Sequence, residues 1–183
     1  RTLFSVEQFH LMAAAGVFAP GARIELIDGE LLNMAPIGSR HSGAVNFLNR
    51  LLTFSFSEEE AVVAVQNPVI LGARTEVYPD LALLRPRADF YKAAVATPSD
   101  VLLIIEVADT TLRFDQRIKL PLYARHGICE VWIVDVEHSC LEISTAPAAE
   151  GYRSRQVLGP DRAATLTALP SAALAWGRAV SAQ

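Results

Sequence analysis

Residues 101–120 read VLLIIEVADTTLRFDQRIKL, and this stretch decides the fold. Its opening run, VLLIIEV, is apolar except for one acid, Glu106. A short continuous apolar run is typical of a central strand that is covered on both faces. The segment that follows is predicted to be helical to about His126, where Gly127 ends it. The stretch therefore predicts a buried strand, a polar step and a helix, with a carboxylate near the end of the strand.

The residues on the N-terminal side predict a helix, a hairpin and a second helix. Ser5 and Gln8 have the spacing of a capping box at the start of a short helix. Asp-Gly lies between two apolar runs in IELIDGELL, residues 24–32, and predicts two antiparallel strands joined by a tight turn. Ser39 is predicted to cap a helix of about five turns. The apolar residues on one face of that helix are Val45, Leu48, Leu51, Leu52 and Phe56.

The remaining patterns predict mostly strands. EEEAVVAVQNPVILG, residues 58–72, predicts an acidic turn and one strand to about Leu71, and a short strand begins at Pro79-Asp80. Residues 86–100 are predicted to be irregular. EVWIVDV and CLEIST predict two more strands, and GYRSRQVL predicts an edge strand. The expected fold class is α/β, a mixed central sheet flanked by helices, in one domain of residues 1–183.

Composition limits the classes of protein that this chain can belong to. It has 183 residues, of which 51% are apolar and 20% charged, which suits one globular domain. A net charge of −4 argues against a surface that is basic throughout, although a local basic cleft remains compatible with it. Cys129 and Cys140 have no metal-site or disulfide-framework spacing, which favours a reducing, cytoplasmic location. No apolar run approaches the roughly 20 residues of a membrane span, so no membrane partner is expected.

Three residues have the chemistry of a metal-dependent hydrolase. Asp80 lies at the start of one strand, Glu106 near the end of the next, and Lys119 on the helix after it. Two carboxylates on adjacent strands can bind a hard divalent cation such as Mg²⁺ or Mn²⁺, and the backbone carbonyl of Val107 offers a third oxygen. A nearby ammonium can polarise an attacking water while the cation stabilises charge on a phosphodiester. We expect Asp80, Glu106 and Lys119 to converge in one cleft.

The helix after the buried strand has a polar face. Asp115, Lys119, Tyr123 and His126 follow one another at steps of four, four and three residues and so share one side of a regular helix. That side could face the ends of the strands. A second interpretation stays open, in which Asp115 and Lys119 are a surface ion pair and Tyr123 is an aromatic at the edge of the core.

The order of these motifs resembles a known group of nucleases. Pro79-Asp80, then Glu106-Val107-Ala108, then Lys119 with Tyr123 four residues later, resembles the PD-(D/E)xK nuclease superfamily. A more specific likeness is to the Uma-two family of restriction endonucleases, over roughly residues 4 to 170. The shared motifs are ELIDGE, SRH, YPDLALL, IIEVADTT, D-x-x-x-K-x-x-x-Y-x-x-x-G and EVWIVD.

This resemblance implies a restriction-endonuclease-like core and a Mg²⁺- or Mn²⁺-dependent endonuclease that hydrolyses DNA. Asp80 and Glu106 would be metal ligands, Lys119 the catalytic lysine and Glu25 an accessory acid beside them. Superfamily members commonly have lysine two residues after the strand glutamate, a position that is Ala108 here, so the lysine is expected to have moved to the helix. A homodimer is expected because two related sites cut both strands of a duplex most simply.

Other interpretations of these residues stay open from the sequence alone. Asp80 could belong to a turn after proline, and Glu25 could be a solvated strand residue. His41, in the first turn of a helix, could help to bind a phosphate, although ordinary capping is the favoured interpretation. Ala108 also favours an alternative function, a catalytically inactive nuclease fold that binds nucleic acid or protein.

Overall fold

The computed structural model describes residues 2–181. In chain order its strands are β1 Ile24–Ile27, β2 Glu30–Asn33, β3 Val62–Val65, β4 Val69–Gly72, β5 Thr75–Val77, β6 Leu81–Leu84, β7 Val101–Ala108, β8 Glu130–Asp135, β9 Cys140–Ala148, β10 Gly151–Leu158, β11 Ala164–Leu166 and β12 Leu169–Leu174. Its helices are α1 Val6–Ala14, α2 Ser39–Ser55, α3 Leu112–Phe114 and α4 Leu120–Arg125, with a π-helical turn at Asp115–Lys119 and 3₁₀ turns at Pro98–Asp100 and Trp176–Ala179. Within these residues, no helix is long and apolar enough to cross a membrane.

A mixed sheet with the strand order β10-β9-β8-β7-β6-β3 forms the centre of the fold. β7 pairs in parallel with β8 and antiparallel with β6, and every residue of β7 is buried. Leu103 and Ile105 pack with α2 on one face of the sheet, and Ile104 packs with Leu122 and Tyr123 of α4 on the other. The predicted mixed α/β fold with a doubly covered central strand is therefore confirmed.

The second sheet has the order β2-β1-β5-β4 and contains the predicted hairpin. β1 and β2 pair antiparallel from Ile24↔Asn33 to Ile27↔Glu30. Asp28 and Gly29 form the turn with φ angles of 52° and 85°, which suit the two-residue turns that match strand twist. β5 pairs with the other edge of β1 through Leu26↔Glu76. This pairing brings β1 next to the chain that leads into β6.

Two local predictions are wrong. Residues 61–72 form two strands rather than one, and β3 and β4 belong to different sheets. The chain turns at Gln66, whose φ is 51°, and Pro68 cannot donate a backbone hydrogen bond to continue a ladder. The N-cap of α2 is Gly38, not Ser39, and no side chain caps that end. The capping box of Ser5 and Gln8 at α1 is confirmed.

Gly29→Ala should destabilise the hairpin. A Cβ at this position would lie 2.8 Å from the Cβ of Leu3 and 3.0 Å from the carbonyl oxygen of Phe4, on a backbone with positive φ. We expect the free energy of unfolding to fall by about 2 kcal/mol, measured by urea denaturation. Gly43→Ala is the control, since an added Cβ there meets open space inside α2, and it should gain up to about 1 kcal/mol. Equal stabilities for Gly29→Ala and the wild type would contradict the prediction.

Candidate active site

Strand pairing brings Asp80 to Glu106. β6 runs antiparallel to β7 with Leu81 opposite Ile105, so the residue just before β6 lies beside the C-terminal end of β7. The Val107 backbone N–H donates to Asp80 Oδ2 at 2.9 Å. Asp80 is therefore held against Val107, the residue that follows Glu106 in β7. The side chains of Asp80 and Glu106 are both buried.

Lys119 joins Glu106 to Glu25. The Lys119 ammonium lies 3.1 Å from Glu25 Oε1 and 3.1 Å from Glu106 Oε1, and all three side chains are buried. Glu25 Oε1 also accepts a hydrogen bond from the backbone N–H of Tyr78 at 2.9 Å. The structure thus brings together the four side chains that the sequence nominated, Glu25, Asp80, Glu106 and Lys119. Val107, nominated for its carbonyl, lines the same cavity. Their roles in catalysis and metal binding stay predictions.

A π-helical turn carries Lys119 into the site. The N–H of Leu120 bonds to the carbonyl of Asp115, five residues back. Pro121 follows at the start of α4, and proline has no N–H and clashes with the carbonyl four residues before it, which favours a wider turn. Both Asp115 and Lys119 are buried as a result. The alternative of a surface ion pair between them is therefore wrong.

The remaining residues of the predicted polar face divide between the site and its surroundings. Asp115 lies inside and accepts a hydrogen bond from the Thr111 hydroxyl at 2.6 Å. Tyr123 is fully buried, and its hydroxyl donates to Glu106 Oε1. His126 instead packs against Gly72 of β4. We use the name acid–lysine cluster for Glu25, Asp80, Glu106, Asp115 and Lys119.

His41 lies in the cavity through a contact with Asp80, whereas its place in the sequence favours ordinary helix capping over a role at the site. Its Nε2 lies 2.9 Å from Asp80 Oδ2, while its buried Nδ1 has no hydrogen-bond partner within residues 2–181. Gln66 Nε2 donates to Asp80 Oδ1 at 3.3 Å. The SRH motif placed His41 in the first turn of α2, but its partner is 39 positions away. No local pattern indicates that contact, so capping was the interpretation favoured from sequence.

The acid–lysine cluster contains four buried carboxyl groups and one ammonium. The pKa values of Glu106, Asp115 and Lys119 are all raised in this setting. Burial is the main cause that raises the pKa of Glu106 to about 8. The Lys119 ammonium opposes this rise, and the charges of Asp80, Asp115 and Glu25 add to it. Burial also raises the pKa of Asp115. For Lys119, burial alone would lower the pKa, but Glu106, Glu25 and Asp115 raise it well above its ordinary value. Lys119 is therefore a permanent cation.

Asp80 behaves differently from Glu106. Burial of Asp80 would raise its pKa, but the hydrogen bond and charge of His41 and the Val107 N–H favour the ionised form and lower it overall. Asp80 is therefore ionised at neutral pH. Glu106 keeps a large protonated fraction under the same conditions.

The raised pKa of Glu106 predicts a pH dependence of stability. Between the ordinary value of 4.5 and about 8, the folded protein holds a proton that the unfolded chain has released. The free energy of unfolding should therefore fall as the pH rises through this interval. Glu106→Gln, which cannot ionise, should reduce this fall, measured by urea denaturation in EDTA. Identical pH slopes for the variant and the wild type would contradict the assignment.

The acid–lysine cluster lines a cavity of about 550 Å³. His41 and Val107 also line it, and so do residues of the segment 34–38 between β2 and α2. The cavity combines carboxylates, one buried ammonium and space for a ligand. Such a combination in a concave site is typical of an active site.

The fold and the site together define an α/β protein with a recessed acid–lysine centre at the end of a central strand. Residues 6–177 match the model of the Uma2 family, described as "Putative restriction endonuclease". The chain belongs to the Uma2 family. No curated protein matches it closely enough to count as a relative.

A solved structure with a similar fold is known. It is described as "a putative nuclease belonging to DUF820" and comes from Anabaena variabilis ATCC 29413. The two chains superpose with a TM-score of 0.73 over 97% of each chain, at 13% sequence identity. At this identity the likeness concerns the fold, so it supports the arrangement of the elements that carry the site.

Proposed function

We propose that the protein is a divalent-metal-dependent endonuclease that hydrolyses phosphodiester bonds of DNA. The observation that carries this proposal is the position of the buried Lys119 ammonium, 3.1 Å from both Glu25 and Glu106, in the same cavity as Asp80. Two ionisable acids and a fixed cation at a strand end can bind a metal and a phosphodiester together. The description of the Uma2 family supports the same chemistry.

The donor atoms suit a hard cation such as Mg²⁺ or Mn²⁺. Asp80, Glu106, Glu25 and the Val107 carbonyl would supply oxygen ligands, and Mg²⁺ is commonly held by one or two carboxylates with water and substrate oxygens. No group of three or more His, Cys, Asp or Glu among residues 2–181 is arranged to hold a metal by itself. In the structure the Lys119 ammonium supplies the positive charge between Glu25 and Glu106. A bound divalent cation would stabilise the negative charge that develops on the phosphodiester.

The protein's own residues have distinct tasks in this proposal. Lys119 is protonated, so it donates hydrogen bonds to the attacking water or to a phosphate oxygen and does not act as a base. His41 and the Val107 N–H hold Asp80 in position. The water oxygen bonds to phosphorus while the phosphorus–oxygen bond to one sugar breaks. The protons of the water finish on the leaving hydroxyl and on the new phosphate monoester or solvent.

Metal titration combined with a cleavage assay tests the proposal. The wild-type protein should cut labelled DNA when Mg²⁺ or Mn²⁺ is added and stop when EDTA removes the metal. Calorimetric titration with Mn²⁺ should show a binding site in the same preparation. If no metal binds with or without DNA, and no DNA is cut, the proposed function is wrong.

Ala108 supports a second candidate, an inactive nuclease fold that binds nucleic acid or protein. This position is buried in β7 and leaves the strand without the lysine that the superfamily commonly has there. DNA binding that needs no metal and leads to no cleavage would favour this candidate. The homodimer and the cytoplasmic location stay predictions, and size-exclusion chromatography with light scattering measures the first.

A further inference from the structure

Part of the cavity wall is apolar, which a phosphodiester alone does not require. Leu32 of β2, Met34 and Ile37 of the following segment, and Phe114 of α3 line the same cavity as the acid–lysine cluster. Ile37 is 39% exposed, and Met34 and Phe114 are half-buried. A ligand with a flat apolar part close to a phosphate would use both kinds of surface. A nucleotide, with its base and its phosphate, has this chemistry.

The acid–lysine cluster is recessed. Asp80, Glu106 and Lys119 expose only 6%, 3% and 4% of their surfaces, so a reacting phosphate has to enter the cavity. Two contacts hold the surrounding wall of the cavity in place. Arg23 donates to the Ala35 carbonyl at 3.2 Å, and Arg40 and Asp109 form an ion pair at 3.2 Å.

Arg113 is a cation on the cavity wall that has no partner within the described residues 2–181. It is exposed and lines the cavity, and it forms no hydrogen bond or ion pair with any other residue between 2 and 181. Arg40, by contrast, is bound to Asp109 and to the Val136 carbonyl. Arg113 is therefore available to bind a phosphate of the substrate.

We propose that the site takes an unpaired nucleotide, and that the protein acts on single-stranded DNA in preference to duplex. A phosphate enters toward the acid–lysine cluster, Arg113 binds a phosphate of the same strand, and a base packs on Ile37 and Phe114. A volume of about 550 Å³ suits a ligand of this size, because pockets of about 300–1,000 Å³ enclose small ligands. This inference rests on the proposed function, since it names the substrate of the same site.

Base pairing works against entry into such a cavity. In a duplex each phosphate is held beside stacked base pairs and a second strand, and turning one nucleotide out costs a few kcal/mol of stacking and pairing. A single strand avoids this cost and can place its base against apolar side chains, as many single-strand-binding proteins do with aromatic side chains. We therefore expect kcat/KM to be higher for single-stranded DNA than for duplex DNA.

The test compares one labelled oligonucleotide as a single strand and in duplex, in Mg²⁺ or Mn²⁺. We expect kcat/KM to be at least about 10-fold higher for the single strand. Ile37→Ser and Arg113→Ala should raise KM for the single strand by about 10-fold, and Arg113→Ala should also reduce the salt dependence of binding by about 0.7 in slope. Ile118→Ser and Arg117→Ala are matched controls, since both residues are exposed and lie outside the cavity.

The outcomes separate this inference from the proposed function. Cleavage of duplex as fast as single strand, or equal effects of the cavity variants and their controls, would overturn the inference and leave the nuclease intact. If neither DNA is cut, the proposed function is wrong, and fluorescence anisotropy in EDTA then decides the inference. Tighter binding of single strand that depends on Ile37 and Arg113 supports the nucleotide site, whereas equal binding of both DNAs overturns it.

Discussion

Lys119→Ala is expected to reduce DNA cleavage by at least about 100-fold, because it removes the cation that orients water and stabilises charge. The same change leaves the buried Glu25 and Glu106 without their shared ammonium. The free energy of unfolding should therefore fall by roughly 3–5 kcal/mol in the absence of metal. Cleavage rates and urea denaturation measure the two effects separately, and rates are compared at a temperature at which the variant is folded.

Arg117→Ala is the matched control for Lys119→Ala, since Arg117 lies on the same π-helical turn but is exposed.

A lysine placed on β7 tests whether the role proposed for Lys119 can be taken over from a second position. Residues 106 and 108 point to the same face of β7 because side chains alternate along a strand. Ala108→Lys in the Lys119→Ala background should recover part of the rate. A Lys119→Ala protein that cuts DNA as fast as the wild type would exclude the catalytic lysine.

Asp80→Asn is expected to abolish Mn²⁺ binding in calorimetry and to lower cleavage by at least about 100-fold. Asn has the size of Asp and still offers an oxygen to the Val107 N–H, so the local fold should be kept, while the charge that attracts a cation is lost. The single-site heat seen for the wild type should therefore disappear. Urea denaturation verifies that the variant is folded.

Asp161→Asn is the control for Asp80→Asn, because Asp161 is an exposed carboxylate that does not line the cavity. It should bind Mn²⁺ and cut DNA as the wild type does. If Asp80→Asn keeps both properties, Asp80 is not a metal ligand. The burial of Glu106 would then need an explanation other than metal binding, because Asp80 bonds to the backbone of Val107, the residue next to Glu106.

The elements that the sequence predicted best are those whose cause is local. The capping box at Ser5 and the Asp28-Gly29 turn depend on residues a few positions apart. The burial of β7 follows from an apolar run that has no polar face. The sequence analysis predicted one strand where residues 61–72 form β3 and β4. The polar Gln66 and Asn67 and then Pro68 interrupt the apolar run at this point, and the backbone turns there, with a φ of 51° at Gln66.

The sequence by itself predicted a metal-dependent hydrolase and nominated three residues for it, Asp80, Glu106 and Lys119. Residue type and order along predicted strands were enough for that. Only the tertiary structure decided that Lys119 bonds to Glu25 as well as to Glu106 and that His41 holds Asp80.

The tertiary structure also decided that Asp115 and Lys119 turn inward together. The physical reason is the range of the interactions involved. Helix caps, tight turns and apolar periodicity act between near neighbours in the chain, and so they can be predicted from short stretches of sequence. The acid–lysine cluster exists because β6 pairs with β7, β5 pairs with β1, and a π-helical turn redirects one side chain. These contacts join segments far apart in the chain, and their geometry is set by packing the whole core.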